Sequence, residues 1–91
     1  MSENFIKTIE DTLYNIEAED RKILISNVFE SLHPNESLVL ELYYLKENSI
    51  NEILELTGWS KSKTKMLLLR GRKSFYHMLS KILKYKLEEL I

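Results

Sequence analysis

Ser49 to Arg72 reads SINEILELTGWSKSKTKMLLLRGR, and this stretch decides the fold. Ser49 followed three residues later by Glu52 is the signature of a capping box, in which each side chain satisfies a free backbone N–H of a helix's first turn. Ile50, Ile53, Leu54 and Leu56 then supply an apolar stripe, and Thr57-Gly58 ends it. Glycine takes the left-handed conformation after a helix without a Cβ clash. Trp59 is expected to fill the corner, and Ser60 to cap a second helix rich in Lys, Thr, Leu and Arg. A short helix, a glycine turn and a basic second helix together have the form of a helix-turn-helix.

Outward from this stretch the chain reads as all-α, since it has one proline, two glycines and no alternating β-branched runs. A first helix is expected from Ser2 or Glu3 to Asn15, with Phe5, Ile6, Ile9, Leu13 and Ile16 on its apolar face. Arg21 to Leu32 carries a helical stripe of Ile23, Leu24, Val28 and Leu32. His33-Pro34 breaks it, because proline lacks an N–H and disfavours helix in the residue before it. Proline is also at home in a first helical position, so a third helix is expected over Asn35–Lys46. Its buried side is read as Leu38, Val39, Leu42, Tyr43 and Leu45. Lys61 to Lys86 makes the long last helix. Placed at roughly 100° per residue, Thr64, Leu67, Leu68, Gly71, Phe75, Met78, Leu79 and Ile82 share one face. Lys63, Met66, Arg70, Lys73, His77 and Lys84 point the other way, with Lys65, Leu69 and Arg72 on a flank. Gly71 on the core face implies close approach of another helix, since glycine there costs roughly 1 kcal/mol relative to alanine. Leu87, Leu90 and Ile91 form an apolar stretch suited to pairing with a second copy.

Ninety-one residues make a single small domain, and 44% hydrophobic with 30% charged residues is the balance of a globular chain. No cysteine is present, which excludes disulfides and thiolate metal sites and is compatible with a reducing cytoplasm. No apolar run approaches the roughly 20 residues of a membrane span, and the N-terminus lacks the form of a signal peptide. Cytoplasmic localisation with no membrane contact is therefore expected. The net charge of −1 conceals two unlike halves. Residues 1–55 hold 4 Lys/Arg against 12 Asp/Glu, whereas residues 56–91 hold 9 Lys/Arg against Glu88 and Glu89 alone. Such asymmetry points either to a polyanion partner for the basic half or to attraction between the halves.

Leu32-His-Pro-Asn-Glu-Ser-Leu-Val-Leu-Glu-Leu-Tyr-Tyr, Ser49-Ile-x-Glu-Ile, Leu56-Thr-Gly-Trp-Ser-x-Ser, then Lys65 and Arg70-Gly-Arg-Lys resemble, in order and spacing, region 4 of bacterial sigma factors. The extracytoplasmic-function group is the nearest class, and the resemblance covers residues 20–80. It implies an all-α domain of four to five helices with a helix-turn-helix at 49–76, of the winged-helix-like DNA-binding class. Residues 1–16 would be an N-terminal helix or linker and 17–91 the region 4-like part of one domain spanning 1–91. It further implies recognition of the −35 promoter element, docking on the β-subunit flap of RNA polymerase, and an anti-sigma factor as a further partner. DNA-contacting positions carried over are Ser62, Lys63, Lys65, Met66, Leu69 and Arg70, with Arg72 and Lys73 near the backbone. Some positions depart from the family pattern: Lys63-Thr64 replaces a common Thr-Val, Leu67 a common arginine, and Gly71 a common alanine. The sigma region that melts the −10 element has no counterpart among these residues.

The physics of these residue types agrees with that implication. Lys61, Lys63, Lys65 and Lys73 are suited to phosphate, Arg70 to bidentate pairing with guanine, and Met66 or Leu69 to a thymine methyl. With Ser60 at the helix start, the candidate DNA-binding set is Ser60, Lys61, Ser62, Lys63, Lys65, Met66, Leu69, Arg70, Arg72 and Lys73. Two other readings stand beside it: a free-standing helix-turn-helix regulator binding as a dimer, and a polymerase- or anti-sigma-docking module that has lost DNA binding. His33 and His77 lack metal-ligand spacing, and no carboxylate is paired with a nucleophile or phosphate loop. Neither a catalytic residue, a metal nor a cofactor is expected.

Overall fold

The computed structural model describes Lys7 and residues 11–89, and for 85–89 the backbone alone. Most of its described residues are helical, with no strand among them. Residues 11–14 and Lys7 are helical, as expected for the first segment, whereas Phe5, Ile6 and Ile9 lie outside the described residues, as do the side chain of Leu87 and both Leu90 and Ile91. Four longer elements follow: α1 over Ala18–Ser31, α2 over Pro34–Leu40 continuing into a π-helical turn at Glu41–Leu45, α3 over Ile50–Thr57, and α4 over Lys61–Glu89. By contacts the chain divides into two compact units, Met1–Ser31 with Lys73–Ile91, and Leu32–Arg72.

The first unit is held by Leu24 and Val28 of α1 against Leu79 and Leu83 of α4, all buried. Leu13, Ile16, Phe75, Tyr76, Met78 and Ile82 pack around them. Phe29 meets Phe75 edge-on with ring centroids 5.6 Å apart, a geometry in which the positive ring edge faces the negative ring face. Ile23 is not part of this core: it is 61% exposed. Leu24 and Val28, one turn apart, set the line that a helix can bury, and Ile23 falls beside it. Leu83 is buried where the wheel drawn from Thr64 had not placed it, because Leu79 and Leu83 follow the line of α1's Leu24 and Val28 instead.

The second unit begins with His33 as the N-cap of α2, its Nδ1 accepting a hydrogen bond from the Asn35 N–H at 3.3 Å, and Pro34 takes the first helical position. Val39 and Leu40 are buried, while Leu38, Tyr43 and Leu45, expected on the buried side, are exposed at 40%, 38% and 63%. The π turn accounts for the later two. The Lys46 N–H bonds to the Glu41 carbonyl five residues back, so one residue is added to the turn and the 3.6-residue phase is lost beyond it. Asn48 N–H then closes onto the Leu42 carbonyl at 2.9 Å, with Glu47 in the left-handed region at φ 56°. Val39, Ile53 and Leu67 form the core, and Leu42, Trp59 and Leu68 pack on it. Gly71 brings α4 close to α2: a Cβ added there would stand 3.2 Å from Leu40 Cγ and 3.3 Å from the Glu36 carbonyl oxygen. Leu40, absent from the expected core, is thus the residue for which that glycine leaves room.

Candidate functional site

The candidate surface lies on the first three turns of α4, and its placement begins in α3. The Ser49 hydroxyl accepts from the Glu52 N–H at 3.1 Å, and the Glu52 carboxylate accepts from the Ser49 N–H at 3.0 Å. That backbone N–H, then the serine side chain, holds the Glu52 carboxyl below its ordinary value. Within α3, Ile53 is wholly buried and Ile50, Leu54 and Thr57 are half-buried, a spacing of one helix face. Leu56, expected on that stripe, lies off it and is 65% exposed.

The turn is built from three residues. Gly58 has φ 74°, and its N–H bonds to the Leu54 carbonyl. The Thr57 hydroxyl donates to the Ile53 carbonyl at 2.7 Å and accepts from the Trp59 N–H at 3.2 Å, tying the helix end to the corner. Trp59 is half-buried on the core, and Lys63 Nζ stands 5.4 Å from its ring centroid, where the negative ring face attracts a cation. Ser60 caps α4 by accepting from the Lys63 N–H at 3.1 Å. Its carbonyl receives the Thr64 hydroxyl at 3.0 Å, so a threonine with no exposed surface has its one polar group satisfied.

Thr64, Leu67 and Gly71 fix which side of α4 faces inward. Ser60, Lys61, Ser62, Lys63, Lys65, Met66, Leu69, Arg70 and Arg72 are all exposed, and so is Lys73, which belongs to the other unit. Five cations, Lys61, Lys63, Lys65, Arg70 and Arg72, therefore stand on one short helical stretch with no acid between Glu55 and Glu88. Among the described residues the ion pair within 4 Å is Lys22–Glu19, far from this surface in sequence, so none of the five is paired with a described carboxylate. Residues that bear on the geometry without standing out in the sequence are Thr57, whose bridging hydroxyl needs its partners located, and Leu40, paired with Gly71.

Among the described residues no group of His, Asp and Glu is arranged to hold a metal ion, and no helix is long and apolar enough to cross a membrane. Compared with protein-family models, with curated proteins and with solved structures, the chain finds no match in any of the three.

Proposed function

We propose that α3, the Gly58 turn and α4 form a helix-turn-helix that binds double-stranded DNA without catalysing a reaction. In this reading the chain serves in transcription initiation as the C-terminal, region 4-like domain of an extracytoplasmic-function sigma factor, with the −35 promoter element as its target. The observation that carries the proposal is the surface of residues 60–72: five exposed cations, unpaired with any described carboxylate, on a helix whose opposite side is fixed by Thr64, Leu67 and Gly71. Lysine and arginine neutralise phosphate and release its counterions, and a helix of this kind enters the major groove with its first turns against the base edges. Leu38, Tyr43, Tyr44, Leu45 and Leu56, all exposed on α2, its π turn and α3, support a second role for the same unit in docking polymerase or an anti-sigma factor.

The test is titration of a promoter-length duplex followed by amide NMR and by fluorescence anisotropy over a series of salt concentrations. Shifts concentrated in Ser60–Arg72 are expected. If all five cations meet phosphate, log K should fall with log salt at a slope near −4.5, taking about 0.9 per contact. Absence of shifts at low salt, or shifts confined to α2 and its π turn, would refute DNA binding and favour protein docking.

A further inference from the structure

Along the first turns of α4 the outward residues are sorted by chemistry. Set out at roughly 100° per residue, Ser62, Met66 and Leu69 occupy the middle of the face opposite buried Thr64. Lys61, Lys65 and Arg72 run along one margin, and Lys63 and Arg70 along the other. Met66 is 41% and Leu69 55% exposed, so between Lys63 and Arg72 the centre of a surface with cationic edges is apolar. The Trp59 ring beneath Lys63 Nζ, 5.4 Å away, keeps that lysine at its margin. Ser60 is engaged in capping the helix, which leaves Ser62 as the polar side chain of the central strip within residues 61–72, and Lys73 is the next residue on that line.

Two cationic margins about an apolar centre match a groove with two phosphate walls and a floor that offers methyl groups. In the major groove that apolar feature is the thymine 5-methyl, and no other base of DNA presents one. Resting on the DNA-binding reading above, we infer that Met66 and Leu69 select thymine by its methyl group, so that the bound duplex is thymine-bearing beneath the centre of α4. The lysines and Arg72 at the margins hold phosphate, and Arg70, with the longest reach on its side, meets phosphate or a guanine at the edge of the floor. The energy of thymine selection is dehydration of apolar surface, so it depends little on salt, whereas the marginal contacts are salt-sensitive.

The experiment selects duplexes from a random library with the full chain. Each thymine of the selected site is then replaced singly by deoxyuridine, which removes the methyl and keeps every hydrogen-bonding group. Affinity is read by anisotropy at fixed salt. One or two replacements are expected to weaken wild-type binding about fourfold each, the value of one buried methyl. The same replacements should be without effect on M66A or L69A, whose exposed positions allow alanine without loss of helix, as circular dichroism will verify. Uracil tolerated at every position by a chain that still binds the selected duplex overturns methyl selection and leaves the DNA-binding reading standing. An equal loss in the wild type and in both variants overturns the assignment to these two residues. Failure to enrich or bind any duplex removes the DNA-binding reading, and the inference with it.

Discussion

Gly71→Ala would place a methyl group 3.2 Å from Leu40 Cγ, 3.3 Å from Leu40 Cδ1 and 3.3 Å from the Glu36 carbonyl oxygen. In an unpacked helix the change is favourable by about 1 kcal/mol, since alanine loses less backbone freedom than glycine on folding. Here both carbon contacts are shorter than the 3.5–4.0 Å optimum for carbon pairs. Leu40 is buried at 3% and cannot swing into solvent, and the other neighbour is the backbone of α2. Overpacking a filled core by a methylene costs about 1–3 kcal/mol. The two effects leave a net loss of about 1 kcal/mol, or a fall in Tm of about 4–8 °C for a domain of this size. Urea unfolding followed by circular dichroism measures it. Leu40→Ala in the Gly71→Ala background should then cost less than Leu40→Ala alone, because it removes both crowded atoms, Cγ and Cδ1, and the coupling isolates the contact. A Gly71→Ala protein about 1 kcal/mol more stable than wild type, with no coupling to Leu40, would show that glycine is not needed for the approach of α2 and α4.

Three further outcomes are expected. Arg70→Ala should weaken binding to a selected duplex by about 1–3 kcal/mol and relax its sequence preference, whereas Lys65→Ala should weaken all duplexes alike and reduce the salt slope by about 1; competition binding over several salt concentrations separates the two patterns. The Glu52 carboxyl, held low by the Ser49 N–H, should titrate by NMR below the ordinary value of 4.5. Its contribution to stability is complete above that value and is lost as pH falls through the lower, folded-state midpoint, so Glu52→Gln should flatten the acid limb of stability against pH; a midpoint at or above 4.5 would sink the argument. Glu47→Gly should stabilise the chain by about 0.5–1 kcal/mol in urea unfolding, because the left-handed backbone at φ 56° is strained for glutamate and free for glycine. An unchanged or lowered midpoint would mean that the Glu47 side chain offsets its backbone strain.

What could be read from the sequence is what depends on residues close together in it. The Ser49–Glu52 box, the Gly58 stop and the Ser60 cap each span five residues or fewer, and each is present. The candidate surface was legible for a related reason: α4 is regular, so periodicity carries from buried Thr64 to Leu67 and Gly71 and leaves the lysines outside. The reading failed where phase is not conserved. Beyond Leu40 the π turn adds a residue, and Tyr43 and Leu45 leave the face that a 3.6 period had assigned them. Ile23 and Leu56 show a second limit, since apolar residues next to a buried stripe outnumber the places that one helix face provides.

The same run of cations on which the proposed DNA binding rests works against the helix that carries it. Lys61 and Lys65 are four residues apart, and Arg70 and Lys73, like Lys81 and Lys84, are three apart, with no acid among them to relieve the repulsion. Like charges at these spacings cost roughly 0.2–0.5 kcal/mol each. Added salt is therefore expected to firm the free protein while weakening the proposed complex, two responses of opposite sign. At low ionic strength a polyanion supplies the counter-charge that solvent does not, so the gain in melting temperature on adding duplex should be greatest where the unbound chain melts earliest.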